Sequence, residues 1–174
     1  NTGKLEVCSN NGDSMALTSK QDILGFIKKL RWVTLGYHYD WTTKQYDMTR
    51  SPNPIPCSLS RRACQIAACV PSTQLTTSDK HHMAPEAGII NYYQPGDTLT
   101  GHVDRSERTM SVPLVSISLG LSAVFLIGGV DRDDPVSAVL VNSGDVSLLT
   151  GEARRYYHGV PRVLEGTSPE HFHG

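Results

Sequence analysis

No stretch of about 18 consecutive apolar residues occurs anywhere in the chain, so no membrane-spanning helix is expected, and no secretory signal is read in it. Cysteine is scarce: Cys8, Cys57, Cys64 and Cys69 form neither a C-x-x-C pair nor a zinc spacing. Reduced, packed thiols are expected in preference to a disulfide or zinc framework, which points to an intracellular setting. Charge of one sign is missing too. Sixteen Lys+Arg against seventeen Asp+Glu leave a net charge of -1, which argues against a basic domain that coats nucleic acid and leaves room only for a local basic groove. Aromatics make up 7% of the chain, and seven of them are tyrosines. What is abundant is turn chemistry, with 15 Gly and 10 Pro, beside a 39% hydrophobic content that can build one core. A length of 174 residues is that of a single domain. The chain begins at Asn1 and not at Met, so it reads as a piece of a longer product.

The first fourteen residues are polar and read as loose. Thr18 with Gln21 three residues on forms a capping box, and Ile23, Ile27 and Leu30 then repeat at helical spacing, which predicts a helix over 19–30. The β-branched and aromatic run 31–39 reads as an exposed hairpin or flap. Leu59, Ala63, Ile66 and Val70 mark a second helix stopped by Pro71, and 72–83 is a polar connector. From Ala84 the texture changes to short apolar or alternating runs at 88–93, 114–119, 123–127, 138–141, 146–149 and 155–160, separated by Pro-Gly, Gly-Gly and Asp-Pro turns. Strands at this spacing suggest a sandwich, jelly roll or barrel, and two helices leading into it give an α+β chain.

Gly101-His102-Val103-Asp104 carries the chemistry. Side chains two apart on an extended strand share a face, so an H-x-D pair offers an imidazole and a carboxylate to one ion. Two histidines and one carboxylate with open positions make the facial triad of non-haem iron(II) oxygenases. His158, in Tyr156-Tyr157-His158-Gly159, is the natural third ligand. His81-His82 and His171-x-His173 compete for that place, but no ordered apolar strand stands behind either pair, and both read as solvated.

The surroundings of these residues resemble the AlkB family of Fe(II)/2-oxoglutarate dioxygenases. Its N-x-Y-x-P-G…H-x-D-x-x-E motif stands here as Asn91, Tyr93, Pro95, Gly96, His102, Asp104 and Glu107. Ser116-Ile117-Ser118-Leu119-Gly120, Ala123-x-Phe125, Gly128-Gly129, Asp131-Arg132-x-Asp134-Pro135 and Gly144-Asp145-Val146 follow in the family's order, and Gly151-Glu152-Ala153-Arg154-x-Tyr156-Tyr157-His158-Gly159 is similar to its G-E-S-R-x-x-Y-H-G run. Arg31-Trp32…Gly36-Tyr37-His38-Tyr39-Asp40-Trp41 and His102-Val103-Asp104-Arg105-Ser106-Glu107 look closest to the first AlkB homologue of eukaryotes. The resemblance spans roughly residues 20–163.

The resemblance implies a double-stranded β-helix, or jelly roll, buttressed by the N-terminal helices and covered by an aromatic nucleotide-recognition flap. On that reading 1–83 is buttress and flap, 84–163 the catalytic core, and 164–174 a truncated tail. It implies that His102, Asp104 and His158 bind Fe(II), and that Asn91 and Tyr93 donate hydrogen bonds to 2-oxoglutarate. Trp32, Tyr37 and Arg132 are implied to contact the substrate. The implied activity is oxidative demethylation of nucleic acid, either tRNA or flipped or single-stranded DNA. It consumes O₂ and 2-oxoglutarate and releases formaldehyde, succinate and CO₂, in a protein taken as a monomer. Two features depart from the pattern. The family closes on a strand with two arginines spaced R-x-x-x-x-x-R, one of which clamps the far carboxylate of 2-oxoglutarate, and no arginine follows Arg162 here. Ser106 stands where bacterial members carry an acidic residue that helps choose the base. Two other functions stay open: a 2-oxoglutarate oxygenase acting on a protein such as a histone, and a non-catalytic scaffold domain.

Overall fold

The computed structural model describes residues 5–8, 14–17, 19–71 and 84–172. The polar connector 72–83, with His81-His82, lies outside the described residues, as do Thr18 and His173. Contacts divide the chain into Asn1–Trp32 and Val33–Gly174.

In the first unit, β1 (Leu5–Cys8) and β2 (Ser14–Leu17) form an antiparallel hairpin where composition suggests loose chain. The register sets Leu5 opposite Leu17 and Val7 opposite Met15. Helix α1 (Lys20–Lys29) follows, one residue inside the expected 19–30. Its cap is Ser19 and not Thr18. Ser19 Oγ accepts from the Asp22 N–H at 3.0 Å, and the Asp22 carboxylate accepts from the Ser19 N–H at 3.2 Å. Asp22 outcompetes Gln21 because a carboxylate three residues on closes this box and also complements the helix dipole.

The second unit holds β3 (Trp32–Gly36), β4 (His38–Asp40), β5 (Gln45–Asp47), α2 (Cys57–Ala67), β6 (Ala87–Asn91), β7 (Leu99–His102), β8 (Leu114–Ile117), β9 (Ala123–Ile127), β10 (Ser137–Val141), β11 (Val146–Leu149) and β12 (His158–Val163), with Trp32 the last residue of the first unit. Strands β7, β12, β9 and β10 form one antiparallel sheet in that order, and β8 pairs with β11 in another. From β7 to β12 the chain passes from the first sheet to the second and back, twice, which is the winding expected of a jelly roll. Strand β3 pairs with β6, and β4 with β5. Residues 155–157, read as strand from sequence, instead end a 3-10 turn, Gly151–Arg155, and lead into β12. Val141, Leu149 and Val163 are buried on β10, β11 and β12, and Ala67 and Val70 are buried at the end of α2.

Gly36 joins three segments. It exchanges backbone hydrogen bonds with Asn53 at 2.9 and 2.8 Å, and the next N–H, of Tyr37, reaches the Glu86 carbonyl at 3.0 Å. Its φ of 71° is left-handed, and a Cβ there would run into the Glu86 carbonyl. Gly36→Ala is therefore expected to cost about 2–4 kcal/mol, as backbone strain plus a steric clash that neither segment can relieve. Gly25→Ala, in open space within α1, should instead stabilise by about 0.5–1 kcal/mol. Urea denaturation of both variants tests the contrast.

Candidate metal centre

His102 and His158 are direct cross-strand partners, each at the end of its strand. Cross-strand partners present side chains on one face, and the two imidazole centroids lie 4.5 Å apart. The start of β12 is clamped to the end of β9. The Gly128 N–H donates to the Tyr157 carbonyl at 2.8 Å, and the Tyr157 N–H to the Gly129 carbonyl at 2.9 Å. The Gly128-Gly129 pair thus holds the backbone one residue before His158. Asp104 comes from the loop beyond β7 and not from the strand itself, although the H-x-D spacing suggests one continuous strand.

The three ligand atoms all lie within 4.8 Å of one another. Asp104 Oδ1 is 3.6 Å from His102 Nε2, and Oδ2 is 3.3 Å from His158 Nε2. Each ring is oriented by the carbonyl two residues before it: His102 Nδ1 lies 2.9 Å from the Thr100 oxygen, and His158 Nδ1 lies 3.2 Å from the Tyr156 oxygen. A carbonyl only accepts, so both Nδ1 atoms carry the proton and both Nε2 lone pairs face the carboxylate. Three lone-pair donors turned on one another repel unless a proton or a cation lies between them. The residues present therefore fit a divalent metal ion.

The electrostatics agree. Burial raises the Asp104 pKa, but hydrogen bonding to His158 and the charges of His158, His102 and Arg154 outweigh it and leave the carboxyl below its ordinary value. Burial lowers the His158 pKa, but the Asp104 hydrogen bond and the Tyr156 carbonyl outweigh it, and the imidazole ends above its ordinary value.

Arg154, only 2% exposed, lies on the turn before His158 and reaches back to the segment after Asp104. Its Nε donates to the Val112 carbonyl at 3.1 Å, and Nη2 lies 3.3 Å from Glu107 Oε2 and 3.6 Å from Met110 Sδ. This buried arginine staples the two halves of the triad together. The approach to Glu107 is an ion pair without hydrogen-bond geometry: Glu107 Oε2 and Arg154 Nη1 are both buried without a hydrogen-bond partner. Glu107 and Arg154 each stand in a family motif, and nothing in their spacing shows that they meet.

None of the other residues singled out from sequence stands on the four-stranded sheet that carries His102 and His158. Asn91 ends β6 and Tyr93 follows two residues on. Neither side chain makes a hydrogen bond to another described residue, and burial raises the Tyr93 phenol. Trp32 begins β3, half-buried, and Tyr37 lies between β3 and β4. Arg132 lies 6.0 Å over the ring of Tyr157, the residue just before β12.

The aromatic side chains that the structure gathers are those of the next hairpin. Tyr39 on β4 meets Trp41 edge-on at 4.8 Å and Tyr46 on β5 at 5.2 Å. Burial, then the carboxylates of Glu107 and Asp104, push the Tyr46 phenol up to about 12, so this hairpin stands within electrostatic reach of the triad. Of the run 31–39, read as an exposed hairpin or flap, Trp32–Gly36 instead forms β3 paired with β6, and His38–Asp40 opens a hairpin that closes at Asp47. The missed signal is Asp40, whose carboxylate accepts from the Thr42 and Thr43 N–H groups at 2.8 and 3.4 Å and turns the chain.

The chain matches the family model of the 2OG-Fe(II) oxygenase superfamily over residues 8–174. It is 44% identical over 140 residues to the DNA N(6)-methyladenine demethylase ALKBH1A of Arabidopsis thaliana, covering 80% of this chain and 39% of that protein. It is 42% identical over 145 residues to the tRNA demethylase abh1 of Schizosaccharomyces pombe, covering 83% of this chain and 45% of that one. The chain thus spans less than half the length of either curated relative. Among solved structures it superposes on OsALKBH1 with a TM-score of 0.65 and 31% identity, over 79% of this chain and 68% of that one. The His-Asp-His cluster on a jelly-roll core, the family match and the likeness to OsALKBH1 place the chain in the 2OG-Fe(II) oxygenase superfamily, among its AlkB-type members.

Proposed function

We propose that this chain forms the catalytic core of an intracellular, monomeric Fe(II)/2-oxoglutarate-dependent demethylase of nucleic acid, with tRNA or single-stranded or flipped DNA as substrate. The observation that carries this reading is the inward-facing triad, in which two backbone carbonyls fix both Nε2 lone pairs towards one carboxylate. His102, Asp104 and His158 would hold ferrous iron. With 2-oxoglutarate and O₂ bound, that ion would supply the oxidising power for hydroxylation of an N-methyl carbon, the overall products being formaldehyde, the demethylated base, succinate and CO₂. Asn91 and the half-buried Tyr93, whose side chains make no hydrogen bond to another described residue, offer donors to 2-oxoglutarate. Core residues 84–163 carry the triad, and α2 lies against β8 as a buttress.

Trp32, Tyr37 and Arg132 remain proposed substrate contacts. To them the hairpin adds Trp41, 47% exposed beside Tyr39, as a flat face on which an unstacked base can lie. Arg105 and Arg155, both exposed and without a carboxylate partner among the described residues, border a largely apolar groove of about 310 Å³ together with Val103, Met110 and Val130. These suit the phosphates of a strand crossing the site.

The test is turnover on methylated RNA, methylated DNA and methylated peptides, read as succinate and formaldehyde. Iron-dependent product from an oligonucleotide, absent in His102→Ala, is the expected result. Product from peptides alone would reject the nucleic-acid substrate, and no 2-oxoglutarate turnover with any of them would reject the enzyme. In the same assay Arg105→Ala/Arg155→Ala should flatten the salt dependence of oligonucleotide binding. The log–log slope should fall by about 0.7 for each phosphate deprived of its guanidinium, uniformly across sequences.

A further inference from the structure

One side chain joins the aromatic hairpin to the loop that carries Asp104. Ser106, two residues past Asp104, places its hydroxyl 3.1 Å from the Tyr39 hydroxyl and 3.1 Å from the Lys44 carbonyl. The Lys44 carbonyl can only accept, so it takes the single Ser106 proton. The Tyr39 phenol must then donate to Ser106 Oγ. The relay Tyr39→Ser106→Lys44 grips the hairpin at β4 and again at its turn. Lys44 has a φ of 56°, the one positive value at a non-glycine among the described residues, so the turn that presents this carbonyl is held in a backbone state that lysine rarely adopts. Tyr39 is also the hub of the aromatic cluster, with Trp41 and Tyr46 both edge-on to its ring. A shift of the metal loop therefore reaches Trp41 through one hydrogen bond, Ser106 to Tyr39, and one edge contact, Tyr39 to Trp41, while the bond to Lys44 ties the same hydroxyl to the hairpin's turn.

We propose that Ser106 is a positioning residue that latches the aromatic hairpin to the metal loop, so that occupancy of the triad and the placement of Trp41 are coupled. The latch rests on the proposed metal site, but it does not require the substrate to be nucleic acid. Ordinary loop packing would hold both segments without linking their equilibria. Coupling instead makes each binding event change the other by the same factor.

The experiment uses Zn(II), which binds without turnover and without paramagnetic broadening, on protein labelled with 5-fluorotryptophan. The two tryptophans give two fluorine resonances, assigned with Trp32→Phe. In the wild-type chain Zn(II) should shift the Trp41 resonance. In Ser106→Ala and Tyr39→Phe that shift should be lost while Zn(II) affinity stays within about threefold, and Ser106→Thr should restore it. A second arm measures Zn(II) affinity with and without a methylated single-stranded oligonucleotide. The expected factor is about fivefold or more in wild type and near one in Ser106→Ala. A wild-type Trp41 that ignores Zn(II), a Ser106→Ala protein that keeps the full response, or an oligonucleotide that binds without changing Zn(II) affinity overturns the latch. A wild-type Trp41 that responds to Zn(II) in a protein that binds no oligonucleotide leaves the latch standing and rejects the nucleic-acid reading.

Discussion

His158→Ala should abolish iron-dependent oxidation, and the loss should appear first in metal binding. The ring supplies one of three ligand atoms, and among the described residues no fourth histidine, cysteine or carboxylate joins this group. The remaining pair, His102 and Asp104, belongs to one short segment and leaves most of the coordination sphere to water. Titration of Zn(II) or Fe(II) under anaerobic conditions checks this, and retention of wild-type metal affinity would falsify the triad.

The pH dependence gives the same site a second signature. His158 has a pKa raised above its ordinary 6.5 in the metal-free fold, so it contributes stability that is present below 6.5 and lost as pH rises through the folded value. Asp104 has a pKa lowered below 3.8, so its contribution is present above 3.8 and lost as pH falls through the folded value. The metal-free protein therefore gains most from this pair between those two limits. Metal affinity should run the other way. The ion must displace the His158 proton, so affinity rises by about tenfold per pH unit until the imidazole is neutral and then levels off. Thermal melts of the metal-free protein and Zn(II) titrations from pH 5 to 8 should show the opposed trends. His158→Ala should flatten both.

Arg154→Ala is the variant expected to cost most in stability, about 3–5 kcal/mol and nearer the low end because Glu107 keeps some contact with solvent. It removes a buried cation, strands the Glu107 carboxylate, leaves the Val112 carbonyl without its donor and opens a void beside Met110. Arg154→Met fills the void and should lose less. Arg154→Met paired with Glu107→Gln should recover part of the remainder, since an unpaired buried charge costs more than an absent pair. Urea unfolding at neutral pH reads all three, and a loss under about 1 kcal/mol in Arg154→Ala would show that the staple carries little of the fold.

Local pattern and long-range contact divide what the sequence discloses. The runs that become β6 and β8 to β11 are legible because short apolar runs between Pro-Gly, Gly-Gly and Ser-Gly-Asp turns have few other readings, whereas β7 is marked only by the H-x-D spacing and β12 begins three residues later than its run suggests. The triad is legible because an H-x-D and a Tyr-Tyr-His-Gly run each carry a local signature, and the family resemblance sets them in register. The limits lie where a residue's role depends on a partner far along the chain. Arg154 meets Glu107 and Val112 over more than 40 residues, and Ser106 meets Tyr39 over 67. Composition cannot show such pairs. Boundaries fail for a different reason. The hairpin turn is made by the Asp40 side chain and not by a Gly or Pro, and the first-turn competition between Thr18 and Ser19 is decided by whether a carboxylate or an amide stands three residues on.

His102 stands directly opposite His158, and β12 carries register shifts on both of its sides, between His158 and Val160 against β7 and between Gly159 and Arg162 against β9. Gly159 lies at the first shift, where a Cβ would come within 2.8 Å of the Leu99 carbonyl. A slip of one residue in either strand would turn an imidazole to the opposite face of the sheet. No partly competent site lies between the two arrangements. Metal affinity should therefore report strand registry: seating β12 one rung out would separate the two imidazoles and leave the ion only part of its ligand set.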